Sequence, residues 1–164
     1  MAENDLIRTG IRGLDAILLG GIPRTNVIVV QGVTGSGKTL MGLEFIYHGI
    51  TRYNEPGLVV LFETSPDKVI RDAAEFGWSL NELQQQKKLQ IIFTTPQVFD
   101  QELRSPDSLL LETANEMGAQ RIFVDGIGLL NPALSGVNLG RGAYREVLQQ
   151  LIESLNREKL TAMF

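Results

Sequence analysis

Five apolar, largely β-branched runs punctuate the chain: Val27–Gln31, Leu58–Phe62, Leu89–Phe93, Arg121–Asp125 and Leu160–Phe164. None alternates cleanly between apolar and polar positions. A continuous apolar run predicts a strand covered on both faces, as in a parallel sheet. The gaps carry helical periodicity. Leu40, Leu43, Ile46, Tyr47 and Ile50 share one face of a helix from about Lys38 to Arg52. Ser65-Pro66-Asp67 supplies a cap, a proline at the first helical position and an acid at the positive dipole end, and that helix should close near Gly77. Ser79-Leu80-Asn81-Glu82 matches a capping box and predicts a short third helix. Ser105-Pro106-Asp107 repeats the Ser65 signal, with Gly118 as the stop. Val147, Leu148, Leu151, Ile152 and Leu155 stripe a last helix over Gly142–Glu158. Strand and helix in repeated alternation predict an α/β fold with right-handed crossovers on a mostly parallel sheet. The longest irregular stretch, Asp125–Arg145, follows a central strand, where long loops tend to carry function.

Composition narrows the chemistry. The 164 residues suit a single domain, and 43% hydrophobic with 21% charged residues is an ordinary globular balance. The absence of cysteine excludes a disulfide framework, a thiolate metal site and a Cys nucleophile, and one histidine excludes a His-rich zinc site. Fifteen basic against nineteen acidic residues give a net charge of −4, which argues against non-specific binding to nucleic acid or to an acidic membrane. No stretch approaches the roughly 18 apolar residues of a membrane span. The first five residues lack the layout of a signal peptide, so a cytoplasmic protein is expected. Leu160–Phe164 reads as a buried strand that stops at the end of the chain. The expectation is therefore a piece of a longer protein, with the C-terminal strands of its domain missing.

Gly32-Val33-Thr34-Gly35-Ser36-Gly37-Lys38-Thr39 fits the pattern G-x-x-x-x-G-K-[ST], between a predicted strand and a predicted helix. Glycines let such a loop close around a phosphate with its N–H groups turned inward, and the helix N-terminus adds a positive partial charge. Lys38 is expected to reach the β- and γ-phosphates of a nucleotide, Thr39 to hold Mg²⁺ through its hydroxyl, and Leu40 to touch the nucleotide through its backbone. Asp125 ends an apolar strand, at the edge where open parallel sheets bind ligands. There it would orient Mg²⁺ and its waters near Thr39. Glu63 follows Leu58–Phe62 at the same edge, either as the base that polarises water for attack on the γ-phosphate or as a solvated residue ahead of the Ser65 helix.

Beyond these motifs the chain resembles a family. Thr9-Gly10-Ile11-Arg12-Gly13-Leu14-Asp15, Gly20-Gly21-Ile22-Pro23-Arg24, the stretch Gly35–Ile50, Asn54-Glu55-Pro56-Gly57, Phe62–Asp67 and Phe76-Gly77-Trp78 are similar to the KaiC-type ATPases of the RecA superfamily. The resemblance covers the whole chain and weakens between Gln90 and Gln120. It implies a RecA-like P-loop core, ATP and Mg²⁺ as ligands, a homo-oligomer of hexameric-ring type with ATP between subunits, and Leu160–Phe164 placed between the strands of Lys38 and Asp125. It also implies that Glu63 is the catalytic glutamate. The sequence departs from the family in two places: Thr64 stands where KaiC proper has a second glutamate, and Gly126 stands where a hydroxyl residue commonly follows the aspartate. The family's basic residues that reach a neighbour's γ-phosphate lie beyond Phe164. A clock role does not follow from the resemblance.

His48 and Trp78 read as packing residues, and Lys87-Lys88 as a solvated helix end. Arg141 and Arg145 beside the long loop make no basic stripe. Three functions stay open: a slow oligomeric regulatory ATPase, a nucleotide-switched interaction module with negligible hydrolysis, and a RadA-like DNA-recombination ATPase.

Overall fold

The computed structural model describes residues 5–105, 107–131 and 143–164. In chain order these form β1 (Leu6–Ile7), α1 (Leu14–Ile17), β2 (Ile22–Pro23), β3 (Val27–Ile28), α2 (Lys38–Tyr53), β4 (Gly57–Leu61), α3 (Pro66–Ala74), α4 (Leu80–Gln85), β5 (Leu89–Phe93), α5 (Pro96–Arg104), α6 (Leu109–Glu116), β6 (Arg121–Asp125), a 3₁₀ turn at Ile127–Leu130, α7 (Ala143–Arg157) and β7 (Thr161–Met163). Strands β1 and β2 pair antiparallel beside the main sheet. The other five form a parallel sheet in the order β3-β7-β6-β4-β5. The last strand therefore lies between the strand leading to the glycine loop and the strand ending at Asp125, as the resemblance implies.

Two apolar layers flank this sheet, because successive strand residues face opposite sides. Val59, Leu61, Phe123 and Met163 pack on one side with Leu43, Phe45 and Ile46 of α2 and Val69 of α3. Leu58, Val60, Ile122, Val124 and Ala162 pack on the other side with Phe99 of α5, Leu111 of α6 and Leu151 and Leu155 of α7. Both faces are covered, which is why these strands read as continuous apolar runs. Phe45 and Phe99 are fully buried, each contributing about 1.5–3 kcal/mol relative to exposure.

Element ends differ from expectation in instructive ways. β5 and β6 run as predicted. β3 is hydrogen-bonded as strand only to Ile28, yet the chain stays alongside its neighbour, with Val30 N donating to Phe164 O at 2.7 Å. β4 starts one residue early, at Gly57, where an added Cβ would lie 3.1 Å from Ile46 and 3.3 Å from the Arg121 carbonyl. Ser65 caps α3 through Lys68 N as expected, with Pro66 at the first turn. The capping box at Ser79 does not form: its ψ of 72° leaves the side chain without a cap bond. The start signal at Ser105 is also displaced. Ser105 instead closes α5, which the sequence reading passed over although Thr95-Pro96 repeats the Ser65-Pro66 pattern and Thr95 accepts from Val98 N. Ser108 caps α6 and donates to Glu102, whose carboxylate also accepts from Leu110 N. Pro106, Gly142, Arg141 and residues 132–140 of the long loop lie outside the described residues.

Candidate nucleotide site

The loop after β3 turns sharply into α2. Gly35 and Gly37 take φ of 81° and 89°, a left-handed conformation that glycine adopts without penalty, and Gly37 caps the helix. A Cβ on Gly32 would lie 2.6 Å from the Ser36 hydroxyl oxygen. Backbone shape thus calls for glycine at positions 35 and 37, whereas at Gly32 the crowding comes from the Ser36 side chain. Gly32, Val33, Thr34, Gly35, Ser36 and Gly37 are all exposed at the C-terminal edge of the sheet.

Lys38 turns back over this loop, its ammonium donating to the carbonyls of Gly32 and Val33 at 2.9 Å each. An ammonium carries three donors. The next residue, Thr39, donates its hydroxyl to Asp125 Oδ2 at 2.8 Å. The two residues predicted to serve a metal are thus brought together, and both offer the hard oxygen donors that suit Mg²⁺. Among the described residues no group of three or more His, Cys, Asp or Glu is arranged to hold a metal. A metal here would draw its remaining oxygens from phosphate and water.

Glu63 is exposed, two residues beyond Leu61, which stands in register with Asp125. Its carboxylate therefore belongs to the predicted edge. Its neighbour Thr64 lines a cavity of about 410 Å³ together with Lys38, Thr39 and Leu40. The far wall of that cavity is Lys68 and Asp72 of α3 and Phe76 just beyond its end. A second cavity, about 510 Å³, opens on the other side of Lys38 toward Asp125, Tyr144 and Phe164. Burial raises the Tyr144 phenol above its ordinary pKa of 10.0. A larger cavity, about 850 Å³, lies elsewhere, among α5, α6 and the end of α7, and none of the predicted site residues lines it.

The residues read as packing do pack. His48 is buried, with Nδ1 2.9 Å from the Gly10 carbonyl. Trp78 stacks on Tyr47 with ring centroids 5.5 Å apart and meets His48 edge-on. Gly126 has a backbone reason: φ is 91° where the chain leaves β6 for the 3₁₀ turn. A hydroxyl residue would be strained in that conformation.

Sequence reasoning missed the residues that hold α2 against β6. Arg121 is fully buried at the start of β6. Its guanidinium donates to Glu55, to Phe45 O at 3.0 Å and to Arg8 O at 2.7 Å, and lies 4.7 Å from the Phe45 ring centre. Glu55 also accepts from Arg24 at 2.8 Å. Burial lowers the Arg121 pKa against the opposing pull of Glu55. Gly42 and Gly49 face β6 from α2. The only available signal for them was two glycines seven residues apart inside a helical pattern.

Comparison with known proteins agrees with this geometry. The sequence model of the family described as "ATPase: KaiC" matches residues 7–164. The circadian clock oscillator protein KaiC of Thermostichus vulcanus is 45% identical over 132 residues, covering 77% of this chain and 26% of that protein. The protein of the same name from Prochlorococcus marinus strain MIT 9313 is 38% identical over 125 residues, covering 73% of this chain and 25% of that protein. This chain thus spans about a quarter of the length of these curated relatives. With its parallel sheet order, its glycine loop and these matches, the chain belongs to the KaiC family of RecA-type P-loop ATPases.

Proposed function

We propose that residues 1–164 belong to one ATPase domain that binds ATP·Mg²⁺ at the loop Gly32–Thr39 and hydrolyses it slowly, as a cytoplasmic regulatory ATPase working in a homo-oligomer of ring type. The observation that carries this reading is the Thr39–Asp125 hydrogen bond at the mouth of the glycine loop. The backbone N–H groups from Gly32 to Gly37 cradle the phosphates, and the N-terminus of α2 adds its partial positive charge. The Lys38 ammonium leaves the Gly32 and Val33 carbonyls for the β- and γ-phosphates, where it stabilises transferred charge. Thr39 supplies a direct oxygen and Asp125 orients the surrounding waters. Mg²⁺, when bound, neutralises charge on the phosphate oxygens. Glu63 accepts the proton of the attacking water. The base and ribose lie toward the cavity between the loop and α3, with half-exposed Phe76 as its apolar wall.

The test is phosphate release from ATP, measured with and without Mg²⁺ and with and without DNA. Mg²⁺-dependent turnover indifferent to DNA supports the proposal. ATP binding without turnover would favour a nucleotide-switched interaction module, and stimulation by DNA a recombination ATPase.

A further inference from the structure

The glycine loop is only as well placed as the helix that follows it, and α2 rests on β6 through two unusually close contacts. A Cβ built on Gly42 would lie 2.2–2.3 Å from three ring carbons of Phe123, where ordinary contact begins near 3.4 Å. Phe123 is 2% exposed between its buried register neighbours Val59 and Met163, and it borders the cavity that reaches Asp125 and Tyr144, so a methyl group at position 42 displaces either the helix or the ring beside the site. A Cβ on Gly49 would similarly lie 2.4 Å from Arg121 Cδ and Nε, about two helical turns further on.

The first contact shares its faces with the site. Thr39 precedes Gly42 by three positions, so both lie on the side of α2 that meets β6. Asp125 follows Phe123 by two, so both project from the same face of the strand. The Gly42–Phe123 contact and the Thr39–Asp125 hydrogen bond are thus neighbours in one helix–strand interface.

We propose that the Gly42–Phe123 contact is a positioning device for the metal side of the nucleotide site: the bare α-carbon seated on the ring sets α2 at the height where the Thr39 hydroxyl meets the Asp125 carboxylate. This rests on the nucleotide reading above. A methyl group at position 42 lifts the start of α2 by about 1 Å to regain normal contact. That takes a 2.8 Å hydrogen bond out of bonding range. The glycine loop itself travels with the helix, so its phosphate cradle stays intact. The loss therefore falls on metal binding rather than on nucleotide binding in general.

The experiment is ATP affinity in excess EDTA and across a Mg²⁺ series, for the parent chain, Gly42→Ala, Phe123→Leu, the double variant and Gly49→Ala. Gly42→Ala is expected to raise the half-saturating Mg²⁺ concentration about tenfold while metal-free ATP affinity changes less than about twofold. Phe123→Leu removes the spacer without a clash and raises the Mg²⁺ requirement about threefold; the double variant, whose new methyl refills the space, returns toward the parent. Gly49→Ala lowers thermal stability and leaves the Mg²⁺ requirement alone. If Gly42→Ala does not fold, Phe123→Leu and the double variant carry the comparison. Unchanged Mg²⁺ dependence in Phe123→Leu, equal losses with and without metal, or a Gly49→Ala shift as large as that of Gly42→Ala would each overturn the inference. A parent chain that binds no ATP overturns the nucleotide reading and this inference together, whereas a parent that binds with variants that match it overturns this inference alone.

Discussion

Thr39 and Asp125 stand 86 positions apart in the chain, yet the hydroxyl of one donates to the carboxylate of the other at 2.8 Å. The bond joins the first turn of α2 to the last residue of β6, at the edge where the glycine loop opens. Asp125→Asn keeps the shape and removes the charge. It is expected to raise the Mg²⁺ concentration needed for half-maximal ATP binding by about 10–100-fold, the range seen when residues that orient a metal ligand are lost. A Mg²⁺ titration at fixed ATP checks this, and an unchanged requirement would remove Asp125 from the site.

Among the described residues Lys38 bonds the carbonyls of its own loop, Gly32 and Val33. Lys38→Ala is therefore expected to abolish measurable ATP·Mg²⁺ affinity while changing unfolding free energy by less than about 1 kcal/mol. Calorimetric titration and urea unfolding of the same preparations separate the two effects. Equal affinity of both proteins would refute the phosphate-binding assignment.

Glu63 is exposed at the sheet edge beside Thr64, which lines the cavity with Lys38 and Thr39. Glu63→Gln retains the size of the side chain but cannot take a proton. Turnover is expected to fall about 10²-fold or more, with ATP affinity within twofold, as for a lost general base. Single-turnover phosphate release reads the chemical step directly, and a rate equal to the parent's would end the catalytic role.

Glu55 is the carboxylate partner of a guanidinium that has no exposure to water. Glu55→Ala leaves Arg121 buried and uncompensated, which is expected to cost about 3–5 kcal/mol. Replacing Arg121 and Glu55 together by apolar residues of similar volume should recover most of that loss. Urea denaturation of the two variants makes the comparison; a loss below 1 kcal/mol for Glu55→Ala would show that Arg121 is held without it.

Burial, with Arg52 second, holds the His48 pKa below its ordinary 6.5, against opposing contributions from Glu44 and the Gly10 carbonyl. The unfolded chain thus binds the proton more readily than the folded one. The resulting stabilisation is fully present above pH 6.5 and is lost as the pH falls from there through the lowered folded value. Thermal melts across this window are expected to show the acid-side decline in the parent and a flatter profile in His48→Gln. Identical slopes would mean that other groups set the acid limb.

Much of this molecule is legible in the order of its residues. Apolar runs predict β5 and β6 to the residue, β6 because both its faces are covered and β5 although this edge strand leaves Gln90 and Phe93 exposed, and Ser65-Pro66 predicts the start of α3 because a cap and a proline act locally. The glycine loop is equally local: the positive φ angles at Gly35 and Gly37 favour glycine at both positions. Local signals mislead where a distant group intervenes. α6 takes its cap from Ser108 rather than starting at Ser105, with the Glu102 carboxylate of α5 accepting from Ser108 and from Leu110 N. In the interface of α2 with β6 the meeting of Thr39 with Asp125 is expected from their two motifs, and the rest lies on the tertiary side. Nothing near Gly42 in the sequence names Phe123, and nothing near Arg121 names Glu55, Phe45 or Arg8. Those partners meet only because parallel strands set β6 beneath α2, and a buried charge or a missing methyl acquires its energetic meaning only once the opposite surface is in place.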